Sequence, residues 1–132
     1  MYEIVYQGIL YTKVEGGLCI GREGYNYMTA VANSSEVNPQ LILPKQVNGI
    51  NVIKIAKYAF YQYTQLTSVD IQAQLTVLSK FCFSGSFNIN FMRIPASGKY
   101  LQISNVYLLI LMIVIIMELF YLSMECIKLI HL

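Results

Sequence analysis

The chain has 132 residues, enough for one small domain, and 56% of them are hydrophobic, above the ~45–50% typical of soluble domains. Its nine basic and seven acidic residues are scattered, which gives a net charge of +2 without a basic stripe. This distribution argues against nucleic-acid binding, because nucleic-acid-binding proteins concentrate Lys and Arg on one surface.

The N-terminal region, residues 1–38, is predicted to form a hairpin or cap. Two β-prone runs, at residues 9–14 and 18–20, flank the tripeptide Glu15-Gly16-Gly17. Glycine tolerates positive φ, so this tripeptide suits a hairpin turn. The start of the chain has neither the basic n-region nor the long apolar h-region of a cleavable signal peptide, so none is expected.

Residues 39–105 are predicted to carry an internal repeat. Four apolar anchors of one unit return 23 positions later in the next: Phe60 as Phe83, Leu66 as Ile89, Val69 as Met92, and Ile71 as Ile94. Leu41 and Leu43, followed by Pro44, look like the end of an earlier unit. The last two anchors of each unit are two residues apart, as on one face of a strand, and stacked units would bury them. The repeat therefore predicts a solenoid of parallel strands whose convex wall is irregular or made of short helices.

The best unit, residues 55–71, follows the pattern I-x-x-x-A-F-x-x-x-x-x-L-x-x-V-x-I, and the second unit is looser, with Cys82 at the Ala position. This pattern resembles the BspA-like leucine-rich repeats, which occur in surface proteins of anaerobic protists and bacteria. The segment Gly8-Ile9-Leu10-Tyr11-Thr12 also resembles the stretch before the first repeat of such proteins. The resemblance covers about residues 8–96. It implies a binding or adhesion module whose partner is a protein or a cell-surface ligand.

Residues 106–124 form an apolar run that is predicted to be a transmembrane helix, followed by a short tail at 125–132. The run has 19 positions and one charge, Glu118, close to the ~20 helical residues that a bilayer core needs. Two alternatives stay open: an apolar helix that covers the open end of the solenoid, and a non-native tail produced by a gene break. The expected fold class is thus an α+β repeat solenoid, with an N-terminal β-hairpin before the parallel strands and one long apolar helix after them.

The apolar run and the resemblance together imply a membrane protein with its repeats at the cell surface. Lys99 and Lys128 flank the run on its two sides, so the charges do not fix its orientation, and a tail-anchored protein with cytosolic repeats stays open. Two functional alternatives also stay open. One is a truncated, non-functional repeat fragment, and the other is an intracellular protein-interaction scaffold with a buried apolar C-terminal helix.

The sequence offers few groups for catalysis. His131 is the only histidine and Asp70 the only aspartate, whereas catalytic triads, carboxylate dyads and His-rich metal sites need several such partners. We therefore expect no enzyme activity, no cofactor and no metal. Cys19, Cys82 and Cys126 are too few and too widely spaced for a disulfide framework, and we expect them to behave as small apolar residues.

A candidate ligand-binding face follows from the strand period, because residues between the inward anchors point outward. Its predicted members are Gln40, Ile42, Ser68, Asp70, Phe91 and Arg93. The repeat period places Asp70 beside Arg93 on adjacent strands. The face is interpreted either as a solvated surface with a cross-strand ion pair or as the partner-contact surface, since an aromatic residue beside Arg is typical of interfaces.

Overall fold

The computed structural model describes residues 2–79, 81–96 and 99–103, which form ten strands in two sheets. The strands are β1 Glu3–Tyr6, β2 Ile9–Val14, β3 Gly17–Ile20, β4 Gln40–Leu43, β5 Gln46–Val47, β6 Ile50–Ile55, β7 Ser68–Ile71, β8 Val77–Leu78, β9 Phe91–Ala96 and β10 Lys99–Ile103. One sheet has the order β1-β2-β3-β6-β5 with β8 also paired to β6, and the other has the order β10-β9-β7-β4.

The two sheets are the two walls of a solenoid. In the first sheet β3, β6 and β8 run parallel, and in the second β4, β7 and β9 run parallel. Each coil supplies one strand to each sheet: coil 1 runs from β3 to β4, coil 2 from β6 to β7 and coil 3 from β8 to β9. The described chain therefore contains three coils, whereas the sequence pattern resolved two units and the end of an earlier one.

Backbone hydrogen bonds between equivalent positions define the stacking of the coils. In the turns, the N–H of Ala30 donates to the C=O of Ala59, and the N–H of Phe60 donates to the C=O of Cys82. At the start of the second sheet, Thr67 donates to Pro39 and Asn90 donates to Thr67. Because each coil repeats the bond that the previous one makes, residue 30 occupies in coil 1 the place that Phe60 occupies in coil 2.

The predicted alignment of the repeat strands is confirmed. β7 and β9 pair in parallel with Val69 opposite Met92 and Asp70 opposite Arg93, which is the offset seen in the sequence repeat. The anchors Leu66, Val69 and Ile89 are buried. Each coil therefore buries its apolar anchors against those of the neighbouring coil, whereas a single coil would leave them exposed.

The predicted convex wall, residues 56–67 and 81–90 between the two sheets, consists of turns, the irregular alternative of the prediction, and no helix occurs in residues 2–79, 81–96 and 99–103. The α part of the predicted α+β class thus has no counterpart among these residues. The long helix expected at 106–124 and the tail at 125–132 lie outside them. For the described chain, the fold is a repeat solenoid built of strands.

The N-terminal hairpin predicted around Glu15 and Gly16 is present as β2 and β3, with Gly16 at φ 90°. A further strand, β1, extends it through a two-residue turn in which Gln7 and Gly8 have φ of 51° and 80°. This left-handed pair is typical of the type I′ turns that connect hairpin strands. At the other end, β10 pairs antiparallel with β9, a strand that the repeat pattern did not predict.

Candidate functional site

The six predicted face residues lie side by side on the second sheet and are called the outward ladder. Strand register places them in two rows, Gln40–Ser68–Phe91 and Ile42–Asp70–Arg93. The residues between them, such as Leu41 and Val69, are buried in the core. The sheet thus brings together all six residues from three coils that are separate in sequence.

The centre of the outward ladder is a two-bonded ion pair. Arg93 Nε donates to Asp70 Oδ1 at 2.8 Å, and an Arg93 Nη donates to Asp70 Oδ2 at 2.5 Å. Gln72 Nε2 also lies 3.3 Å from Asp70 Oδ2. The two bonds from Arg93 fix the guanidinium against the carboxylate and compensate one charge with the other.

Apolar side chains stand at two opposite corners of the outward ladder. Ile42 is 52% exposed, and Phe91 is half-buried. An isolated exposed apolar residue on a soluble surface needs no explanation. Here both flank a compensated ion pair, so the face combines apolar contact area with little net charge. This composition suits contact with the surface of another protein.

A groove that the sequence did not predict lies at the coil 1 end of the solenoid, and we call it the N-terminal groove. It has a volume of about 330 Å³. The lining residues that supply its apolar, charged and hydrogen-bonding groups are Ile9, Tyr11, Glu36, Gln40, Leu41 and Ile42. Its two walls come from the β2 hairpin and from β4, about thirty residues apart in sequence, so no local motif could have revealed it.

The two cysteines in the described chain are free thiols in the core. Burial raises the pKa of the Cys19 thiol to about 12 and raises that of Cys82 well above its usual value. Since the thiolate is the reactive form, both are inert at neutral pH. Among residues 2–79, 81–96 and 99–103, no group of three or more His, Cys, Asp or Glu residues is placed to hold a metal ion.

The predicted membrane segment at 106–124 lies outside the described residues. Within the part of the chain that the structure describes, we find no helix with the length and apolarity that crossing a bilayer requires. Two other ion pairs, Glu3 with Arg22 and Glu23 with Lys54, join the segment after β3 to strands β1 and β6 of the first sheet.

Comparison with known proteins places the repeats in a family. Residues 40–108, just over half of the chain, match the family described as BspA type leucine rich repeat region (6 copies). No curated protein and no solved structure gives a significant match. Repeats of this type indicate a protein-binding module. Together, the three stacked coils, the repeat period of the sequence and this match establish that the chain belongs to the BspA-type leucine-rich-repeat family.

Proposed function

We propose that the chain is a non-catalytic adhesion or recognition module that contacts a protein or cell-surface ligand through the outward ladder. A membrane segment at residues 106–124 would hold it at the cell surface. The observation that carries the proposal is the register of three strands from three coils, which aligns six outward side chains on one face. Binding on such a face depends on surface complementarity and involves no turnover.

The composition of the outward ladder supports a protein partner. Asp70 and Arg93 bind each other, so a partner does not have to supply a counter-charge for either of them. Desolvating such a pair costs less than desolvating a lone charge, because its hydrogen bonds are already made. Ile42 and Phe91 then offer the apolar anchor area on which most interface energy depends.

The number of coils bears on the alternative of a truncated, non-functional fragment. Solenoids need about three repeats before their stacked cores become stable. The sequence pattern resolved two full units, whereas the described chain stacks three coils and adds a hairpin at one end and β10 at the other. Three capped coils favour a folded module over a fragment.

The ladder is tested by substituting its apolar corners in the full-length chain. We expect Phe91→Ser and Ile42→Ser each to weaken adhesion to a surface coated with an extracellular-matrix preparation roughly ten-fold or more, as anchor residues do. Phe87→Ser is the matched control, because Phe87 is 59% exposed but lies on a turn outside the ladder. Equal adhesion of all three variants would contradict the proposed face.

The cell-surface location is tested by the accessibility of the repeats. Trypsin added to intact cells should cleave the repeat region, since lysines such as Lys45 and Lys57 are exposed in it. Cells opened with detergent provide the control for cleavage. If only opened cells yield fragments, the repeats face the cytosol, and the intracellular scaffold with a tail anchor or a buried helix takes the place of the adhesin.

A further inference from the structure

The N-terminal groove borders a strand edge that no described strand occupies. Among the described strands β4 pairs only with β7, and the C=O groups of Pro39 and Leu43 accept hydrogen bonds from coil 2. Backbone groups of a strand alternate in direction with a period of two residues. The N–H and C=O groups of Gln40 and Ile42 therefore face the groove.

With the described residues accounted for, this edge has only a few main-chain groups that are free to form hydrogen bonds. The side chain of Asn38 already accepts from the N–H of Gln40 at 2.9 Å. The edge therefore offers one donor, the N–H of Ile42, between two acceptors, the C=O groups of Gln40 and Ile42. Pro44, which lacks an N–H group and follows Ile42 on the same edge, limits the edge at its C-terminal end. This alternation fits about four residues of extended backbone, the length of β7 on the other side of β4.

The floor of the groove contains a polar group that lacks a partner in the described chain. Tyr11 is only 1% exposed and lines the groove, yet its hydroxyl makes no hydrogen bond with any described residue. Every completely buried polar side-chain atom among the described residues does have a partner, so this hydroxyl is not sealed in the core and opens to the groove. Burial of the ring raises the pKa of Tyr11 above its usual value, so the hydroxyl stays protonated and can donate. An occupant that excludes water from the groove should therefore supply an acceptor oxygen, such as a peptide carbonyl.

The remaining walls define the side chains that fit. Ile9 and Leu41 form the apolar part of the floor, and both are nearly completely buried. Glu36 is the only charged residue among those that line the described groove, and it is exposed at the rim. The site thus complements a strand with an apolar side chain toward the floor and a basic side chain toward the rim.

We propose that the N-terminal groove binds an extended peptide segment of a partner protein, which adds a strand to the free edge of β4 and carries an apolar residue and a Lys or Arg. The segment would continue the column of inward residues formed by Leu41, Val69 and Met92. Main-chain bonds to Gln40 and Ile42 would supply affinity, and the contacts with Tyr11 and Glu36 would supply specificity, as in other cases of strand addition. This site adjoins the contact surface proposed for the outward ladder and shares Gln40 and Ile42 with it, but it uses their main-chain groups.

The probe is a fluorescent peptide with the sequence of residues 67–72, because that segment contains the strand that already pairs with β4. One form carries Asp70→Lys and the other Asp70→Gln. We expect the full-length protein to bind the Lys form roughly two- to five-fold more tightly, the range of one exposed ion pair. Glu36→Lys in the protein should remove this difference. Glu15→Lys, the same charge change on the distant β2–β3 turn, should preserve it.

Two isomeric peptides test strand addition itself. One is N-methylated at residues 67, 69 and 71 and the other at 68, 70 and 72, so each blocks one edge of the added strand. Only one of them should lose affinity by about ten-fold or more. Its methyl groups lie on the peptide edge that faces β4, where they remove the N–H donors and block the approach of the two strands. Equal binding of both isomers would overturn the proposal.

Tyr11→Phe provides an independent measurement, since it removes only the hydroxyl. It should weaken peptide binding roughly three- to ten-fold, the effect of one hydrogen bond, without lowering the thermal stability of the free protein. Failure of every peptide to bind a monomeric protein would refute the site. If the peptides fail and the protein instead self-associates through an edge that Ile42→Pro disrupts, the occupant is a second copy and the proposed partner segment is wrong.

Discussion

The aromatic rings of Phe60 and Phe83, one repeat apart in sequence, stack in parallel with centroids 5.1 Å apart and an angle of 2° between their planes. Both side chains are buried, and the N–H of Phe60 bonds to the C=O of Cys82 beside Phe83. The period of the repeat thus appears in space as one ring lying on the next. This stack joins coils 2 and 3 inside the convex wall.

Removing one ring of the stack should destabilise the protein strongly. We expect Phe60→Ala to lower the free energy of unfolding by about 3–5 kcal/mol, because it deletes buried apolar volume and leaves a cavity against Phe83. Urea denaturation followed by circular dichroism measures the change. Phe87→Ala, at a residue that is 59% exposed, should cost less than about 0.5 kcal/mol. A similar small cost for Phe60→Ala would mean that the stack does not hold the coils together.

Coils 2 and 3 could be predicted from the sequence because every anchor returns at one offset. Of coil 1 only the end, at Leu41 and Leu43, could be predicted, because Ala30 stands in it where Phe60 stands in coil 2. The spacing differs as well: Ala30 comes ten positions after Ile20, whereas Phe60 comes five positions after Ile55. Only the backbone bonds between coils, which depend on tertiary packing, reveal the equivalence.

The outward ladder was predictable for a similar reason, since a strand alternates its side chains with a fixed period. The N-terminal groove was not, because Tyr11 and Leu41 meet there only after the chain has turned through coil 1. Nor does any sequence signal distinguish the free edge of β4 from its paired edge. The pairing of β10 with β9 likewise involves residues beyond the last anchor of the repeat, where the pattern gives no signal.

The ion pair on the outward ladder should contribute modestly to stability. Asp70 and Arg93 are 23% and 31% exposed in their side chains, so solvent screens an interaction that is otherwise well aligned. A double-mutant cycle with Asp70→Asn and Arg93→Gln should give a coupling of about 0.5–1 kcal/mol that declines with added salt. Gln40→Ala combined with Arg93→Gln, two strands apart, should show almost none. Coupling that is absent or insensitive to salt would contradict an electrostatic pair.

The pair between Glu3 and Arg22 should make stability depend on pH. Hydrogen bonds from Arg22, at 2.5 and 2.9 Å, hold the pKa of Glu3 below its ordinary value of 4.5. A carboxyl with a lowered folded pKa stabilises the protein above its unfolded pKa and loses that effect as the pH falls through the folded pKa. The melting temperature of Glu3→Gln should therefore lie below that of the wild type near neutral pH, and the two should converge below about pH 4.5.

A matched variant separates this effect from loss of charge alone. Glu15→Gln removes a carboxylate from the β2–β3 turn, where no described base forms an ion pair with it. Its melting temperature should follow the wild type across the same pH range. A constant gap between wild type and Glu3→Gln down to acidic pH would show that the side chain of residue 3 acts by packing and not by its charge.

The convex turns contain left-handed residues that repeat with the coils. Gln62 has φ of 56°, and Gly85, at the equivalent position one repeat later, has φ of 79°. Residue 85 lies so close to coil 2 that a Cβ built on it would be 2.7 Å from Cγ of Gln62 and 3.2 Å from its Cα. Glycine therefore meets two requirements at position 85, backbone conformation and close approach, while Gln62 adopts the same conformation with a side chain.

Exchanges at these two positions should change stability in opposite directions. Gly85→Ala should cost about 1–3 kcal/mol from left-handed strain and the contact with Gln62, whereas Gln62→Gly should gain up to about 1 kcal/mol. Gly24→Ala isolates the strain, because Gly24 has φ of 85° and no atom within 4 Å of a built Cβ. Gly85→Ala should therefore cost more than Gly24→Ala in urea denaturation. Adding Gln62→Gly should recover most of that excess, because it removes the Cγ, the nearest atom that the new methyl group meets. If Gly85→Ala and Gly24→Ala cost the same, the coils are not packed as closely at this turn as the register of the repeat requires.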